Sequence, residues 1–405
     1  MMTTLKTICS YRKEKIDPQS LQSNSYVSTD GMASNKKGIF RFSIPPAHGK
    51  VTRYLKDDIL VSNIRPYFKK IWLADRDGGC SNDILVFTSN EHCSSEYLYW
   101  LLCNDKFFDY ASATAKGTKM PRGDKNALLD YPIQKHNRQL QEAIVRILRP
   151  FQQQLAINSR INDHLLEMAL SEYKELSRQS SSKRTLQDCT SLLCRGGAPK
   201  YCEKGKFHAL NQRCIRNHKI DDANARRIEN PRSREKLLRY GDILICSTGT
   251  GTLGRSAQVL CHDERVTVDS HVTIVRPAYE ALVEYLGCWA LSSEDQFESM
   301  AKGSTGQTEL PRTELAELEI GFPDAASLND FSGKTKPLFE AIQSNVRENQ
   351  SLECLRDALL PKLMSGEIDV SRIGLRQLNG HLVRLRTLVI VSRSTVYCMR
   401  APFVG

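Results

Sequence analysis

Two short glycine-bearing loops concentrate the side chains best suited to chemistry. The first, ATAKGTKMPR, sets Lys116, Lys119 and Arg122 around Gly117, and the second, MAKGSTGQTELPR, sets Lys302, Gln307 and Arg312 around Gly303 and Gly306. Ammonium, guanidinium and amide groups donate to phosphate oxygens and purine edges, while glycine lets a backbone approach closely. Such loops suit nucleic-acid recognition better than bond cleavage. A second patch interleaves Arg65, Lys69 and Lys70 with Tyr67, Phe68 and Trp72, aromatic residues that would equally suit a core.

Other motifs carry less. GTGTLGRS, Gly249 to Ser256, matches G-x-G-x-x-G and is one Arg-for-Lys change from a phosphate-binding loop. Both phosphate-binding motifs need a helix to begin there, so that its terminal N–H groups and dipole meet the phosphate. The following SAQVLCHDERVTVDSHVTIV alternates like strands, so a strand-to-strand turn is expected. His262 and His271, beside Asp263 and Asp269, have no nucleophile in reach, and no Asn/Asp-Pro-Pro-aromatic motif for amino-methyl transfer occurs. The thirteen cysteines are scattered, and Cys189, Cys194, Cys202 and Cys214 match no zinc spacing. Reduced thiols, no metal and no catalytic centre are the expectation.

At 405 residues, 40% hydrophobic and 25% charged, the chain can bury the cores of two or three domains. Its apolar runs fall short of the roughly 18 to 20 residues of a membrane span, and MMTTLKTICSYRKEK has no signal-peptide core. No membrane partner and a cytoplasmic location follow as expectations. Of the net charge of +11, six charges belong to Arg372, Arg376, Arg384, Arg386, Arg393 and Arg400, beyond the last acidic residue, Asp369. Net basicity is therefore weak testimony about the body of the protein.

The elements that must position these residues occur twice. KDDILVSNIRPYFKKIWLA, from Lys56, matches YGDILICSTGTGTLGRSAQV, from Tyr240, with Asp58 against Asp242. Each reads as a polar turn feeding a buried strand. Aligned on their closing Pro-Arg, the loops pair Lys116 with Lys302, Pro121 with Pro311 and Arg122 with Arg312, which makes the second four residues longer. A long amphipathic segment follows each loop. Leu140, Ile144, Leu148, Phe151 and Leu155 lead to Asn158 and Asn162 in the first, and Ile342, Asn345, Asn349 and Leu352 mark the second.

Asn158 and Asn345, like Asn162 and Asn349, are 187 residues apart, and asparagine in an apolar seam fixes register at some cost in stability. Helices of about 40 residues would reach about 60 Å, too long for one small core, so each needs the other as partner. Pro150 is expected to kink the first helix and Pro361 to end the regular part of the second. The resulting plan is α+β: a β-rich head over 1–134, helix and linker over 135–181, a second head over 182–325, a second helix over 326–371, and a basic tail over 372–405 without a counterpart.

The paired GDIL-type strands, the KG-to-PR loops and LLPKLMSGEIDV from Leu359 together resemble the specificity subunits of Type I restriction-modification systems, over roughly residues 1 to 372. That resemblance implies two target-recognition domains alternating with two helical regions that pack as an antiparallel, coiled-coil-like pair. It implies a two-part double-stranded DNA target. It also implies partners: two modification subunits methylating adenine with S-adenosylmethionine, and restriction subunits that translocate and cut DNA with ATP and Mg. This chain would hold no cofactor. Two other readings remain open at this point: a DNA-modifying enzyme with an unrecognised centre, which would act without added subunits, and a protein-binding adapter, which would show no sequence-dependent hold on DNA.

Overall fold

The computed structural model describes residues 2–118, 120–180, 182–261, 264–303 and 308–370. Lys119, His262, Asp263, Gly306, Gln307 and the tail 372–405 lie outside the described residues.

The described residues fold as two compact units, one formed by 2–155 with 350–370 and the other by 156–349. Two long helices, Arg138–Gln179 and Ala325–Met364, supply a stretch to each unit. Each unit thus holds a β-rich head, the opening of the long helix that follows it, and the closing stretch of the other one. The architecture is α+β with an internal repeat.

In the first unit an antiparallel sheet runs in the order Cys9–Tyr11, Ile84–Ser89, Ile59–Ser62, Ile71–Leu73. The second unit repeats it with Thr190–Arg195, Val272–Pro277, Ile243–Cys246 and Ser256–Gln258. Ile59–Ser62 and Ile243–Cys246 are buried at every residue, which explains why ILVS and ILIC are almost unbroken apolar runs rather than alternating ones. A second sheet in each head contains one parallel pair, Tyr26–Val27 with Gly78–Cys80 and Phe207–Leu210 with Val266–Val268. Short helices cover the first sheet, and their apolar residues close the core: Leu98, Trp100 and Phe107 in the first unit, Leu286, Trp289 and Phe297 in the second.

A buried carboxylate stands at the entrance of each central strand. Asp58 accepts the Leu55 N–H at 2.8 Å and a forked pair from Arg12, at 2.6 and 3.1 Å. Asp242 accepts the Arg239 N–H at 2.8 Å and a forked pair from Arg276, at 2.7 and 2.8 Å. Each closes a tight turn with a charge-assisted fork.

Within the second unit the two helix stretches run antiparallel. Asn158 donates to Asn349 at 2.9 Å and to Glu348 at 2.9 Å, and Asn345 donates to Asn162 at 2.8 Å. The residues that match by repeat therefore meet crosswise, Asn158 with Asn349 and Asn162 with Asn345. In the first unit, Ile144, Ile147 and Leu148 share a core with Leu360 and Leu363. The helix containing Pro150 is continuous through it. The expected stop at Pro361 is corrected: the helix continues to Met364 and is closed by Gly366 at φ +72°. Proline removes one N–H but allows three further residues, whereas a left-handed glycine ends the turn. No helix among the described residues is long and apolar enough to cross a membrane.

Candidate nucleic-acid interface

In the first unit the chain leaves Ile59–Ser62 and enters a turn, Pro66–Phe68, bounded by left-handed Arg65 (φ +50°) and Lys69 (φ +51°). The Arg65 N–H donates to the Pro121 carbonyl at 2.8 Å, and Arg122 and Lys116 exchange both backbone bonds, at 2.8 and 2.9 Å. Main-chain pairing thus brings Arg65, Lys116 and Arg122 together. Lys116 Nζ lies 2.6 Å from Asp124, which caps the helix Lys125–Leu129, and Arg122 donates twice to Asp83 Oδ1, at 3.2 and 2.9 Å. Hydrogen bonds from Lys116 and from the Ala127 and Asn126 N–H groups hold Asp124 below the usual carboxylate range. The Lys116 and Arg122 side chains remain 82% and 56% exposed, so both are available to a ligand.

The basic-aromatic patch divides. Lys69 turns inward to Asp105 at 3.0 Å, and Lys70 donates to the Thr29 carbonyl at 2.6 Å. Trp72 packs on Tyr54 in the core, while Tyr67 is exposed. Lys69 and Lys70 therefore hold the turn in place.

In the second unit the same topological position is occupied by the glycine motif. Gly249, Gly251 and Gly254 all have positive φ, and the segment joins the antiparallel strands Ile243–Cys246 and Ser256–Gln258 with no helix following. A nucleotide phosphate has no helix terminus to meet there. Thr248 pairs with Glu309, which exchanges backbone bonds with Lys302, both at 2.8 Å. Lys302 forms an ion pair with Glu314 in the first turn of helix Arg312–Glu317. Glu309 lies 2.7 Å from Arg195, which also donates to the Leu310 carbonyl at 2.7 Å. His271 shares a 2.6 Å hydrogen bond with Thr248.

These pairings correct the alignment of the two loops. Ile64 bonds with Arg122 where Thr248 bonds with Glu309, and Gly123 donates to Asn63 where Leu310 donates to Ser247. Lys116 does match Lys302, but Arg122 matches Glu309, and Arg312 matches Lys125. The second loop is one residue longer, not four. Pro121 precedes the paired residue, whereas Pro311 follows it and caps a helix, so the shared Pro-Arg is a coincidence that main-chain pairing overrides. Arg312 is exposed at that helix start, outside the paired segment.

No family model matches the chain. The Type I restriction enzyme MjaIX specificity subunit of Methanocaldococcus jannaschii is 23% identical over 314 residues, covering 69% of this chain and 70% of the relative. The HindI specificity subunit of Haemophilus influenzae is 33% identical over 84 residues, 21% of this chain and 18% of its own length. The likeness is to Type I restriction specificity subunits. Among solved structures, the Type I system S subunit from M. genitalium aligns with a TM-score of 0.47 at 18% identity, covering 90% of this chain and 96% of that one.

Two residues at this junction, Arg195 and Glu309, are singled out by no motif, and His271 joins them through Thr248. For Arg195 a windowed charge count carries the signal. Residues 195 to 239 hold thirteen Lys or Arg against five Asp or Glu, a local excess hidden by counting over the whole body. Among them, Arg213 is exposed beside Gln212, whose side chain lies against Gly249.

Proposed function

We propose that this chain is the DNA specificity subunit of a Type I restriction-modification complex, recognising a two-part target and carrying no catalytic site. The observation that carries the reading is the repeated junction of strand end and loop. Two heads of one fold present it with different exposed side chains, which suits two half-sites of different sequence. The long helices would offer the docking framework for two modification subunits, which bring S-adenosylmethionine, and for restriction subunits, which bring ATP and Mg. The complex acts in the cytoplasm on double-stranded DNA.

The assembled complex should retain specific DNA only when this chain is present, and the purified chain alone should neither methylate nor cleave. Replacing Lys302 and Arg312 by Ala should weaken binding and flatten its salt dependence by about one unit of slope for each phosphate no longer neutralised. Methylation or cleavage by the chain alone would refute the reading.

A further inference from the structure

We infer that Arg122 and Glu309, which occupy the same position in the two heads, make those heads read bases of opposite hydrogen-bond polarity. The inference rests on the DNA-specificity reading and names the chemistry at its site. Main-chain pairing fixes the equivalence: each residue exchanges both backbone bonds with the loop lysine, at 2.8 and 2.9 Å for Arg122 and at 2.8 Å twice for Glu309. Both side chains are more than half exposed, 56% and 54%.

The partners of the two residues differ as well. Asp83 and His271 also occupy one position, since the Asn63 N–H donates to the Asp83 carbonyl and the Ser247 N–H donates to the His271 carbonyl, at 2.8 and 2.9 Å. In the first head a cation on the loop is oriented by an anion on the strand connection, Arg122 by Asp83. In the second an anion on the loop is oriented by a cation from a neighbouring strand, Glu309 by Arg195. A uniform phosphate clamp would place a cation at both positions. A carboxylate here repels phosphate and suits only a donor.

The major groove supplies both kinds of partner. Guanine offers acceptors at N7 and O6, which match a guanidinium, and cytosine or adenine offers an exocyclic amine, which matches a carboxylate. Arg122 directs two of its five N–H donors to Asp83, which aims the remainder. Glu309 is held through Oε1 by Arg195 and accepts from the base through its other lone pairs. The first head therefore selects guanine at one position of its half-site, and the second selects cytosine or adenine at the corresponding position.

The experiment is methylome sequencing in cells that express the full chain with its modification subunits, comparing the wild type with Arg122→Gln, Glu309→Gln and Glu309→Arg. Melting temperatures of the purified complexes exclude misfolding, and Glu309→Gln keeps an acceptor without the charge if Glu309→Arg proves disruptive beside Arg195. Arg122→Gln should relax the guanine in the first half-site by about five- to a hundredfold and leave the second half-site unchanged. Glu309→Arg should convert a cytosine or adenine in the second half-site to guanine, and Glu309→Gln should weaken that preference. Unchanged half-sites in all folded variants would overturn the polarity assignment while leaving the two-part target standing. A wild-type complex that methylates no two-part motif would overturn the function itself.

Discussion

The two heads treat their buried and exposed charges differently. Behind each central strand sits the same carboxylate, Asp58 or Asp242, yet its guanidinium arrives from different strands. Arg12 follows the strand Cys9–Tyr11, whereas Arg276 belongs to Val272–Pro277, at the position where the first head has Thr88, itself a donor to Asp58 at 2.9 Å. The framework has changed the source of the cation and kept the neutralised pair. At the exposed loop, by contrast, the sign itself has changed, from Arg122 to Glu309. A buried charge must stay compensated, while an exposed one is free to follow its ligand.

The sharpest way to break this comparison is to remove the buried cation. Asp242 is fully buried and Arg276 nearly so, so Arg276→Leu should cost about 3 to 5 kcal/mol by chemical denaturation. Arg12 is 19% exposed, and Thr88 and the Leu55 N–H remain on Asp58, so Arg12→Leu should cost less, about 1 to 3 kcal/mol. Equal losses would mean that Thr88 does not share the load. In the helical seam, Asn158→Leu removes two donor bonds and should cost about 1 to 3 kcal/mol, more than Asn162→Leu, which removes one acceptor.

A smaller effect distinguishes two sets of buried carboxyls by pH. In the first unit Lys36 is buried between Asp105 and Asp357, 2.9 Å from each. Burial pushes both carboxyls up, but Lys36, with Lys69 at Asp105 and Arg356 at Asp357, outweighs it and leaves both below the usual range. Carboxyls depressed in the folded state add stability above about pH 4 and lose it as pH falls through their lower folded values. In the second unit burial raises Glu284 and Asp269, so their contribution has the opposite sign: it is fullest at low pH and declines as pH rises through the raised values. Hydrogen exchange at pH 5 and pH 3 should show the first unit losing protection near Lys36, and Lys36→Met should reduce that loss. An unchanged pH response in Lys36→Met would contradict the assignment.

Repetition and helical periodicity made the large-scale plan legible. Apolar runs at Ile59 and Ile243, and the asparagines spaced by 187 residues, were enough to foresee paired heads and a helical seam, because burial and periodicity leave a direct mark on residue type. The equivalence of Arg122 with Glu309 left no such mark. It depends on which carbonyl each N–H finds, and matching Pro-Arg dipeptides pointed to the wrong register. Arg65 and Gly249 are the opposite case: RPYFKK and GTGTLG share no chemistry, but the strands that follow Asp58 and Asp242 align them, and both turn at positive φ.

Methylome sequencing of a host lacking other adenine methylases, with the chain and its modification subunits present or with the chain alone deleted, tests the central claim most directly. Two heads of one fold with different exposed charges predict a single motif of two unlike half-sites at a fixed gap, lost on deletion. A continuous motif, two identical half-sites, or a motif that survives deletion of this chain would contradict it.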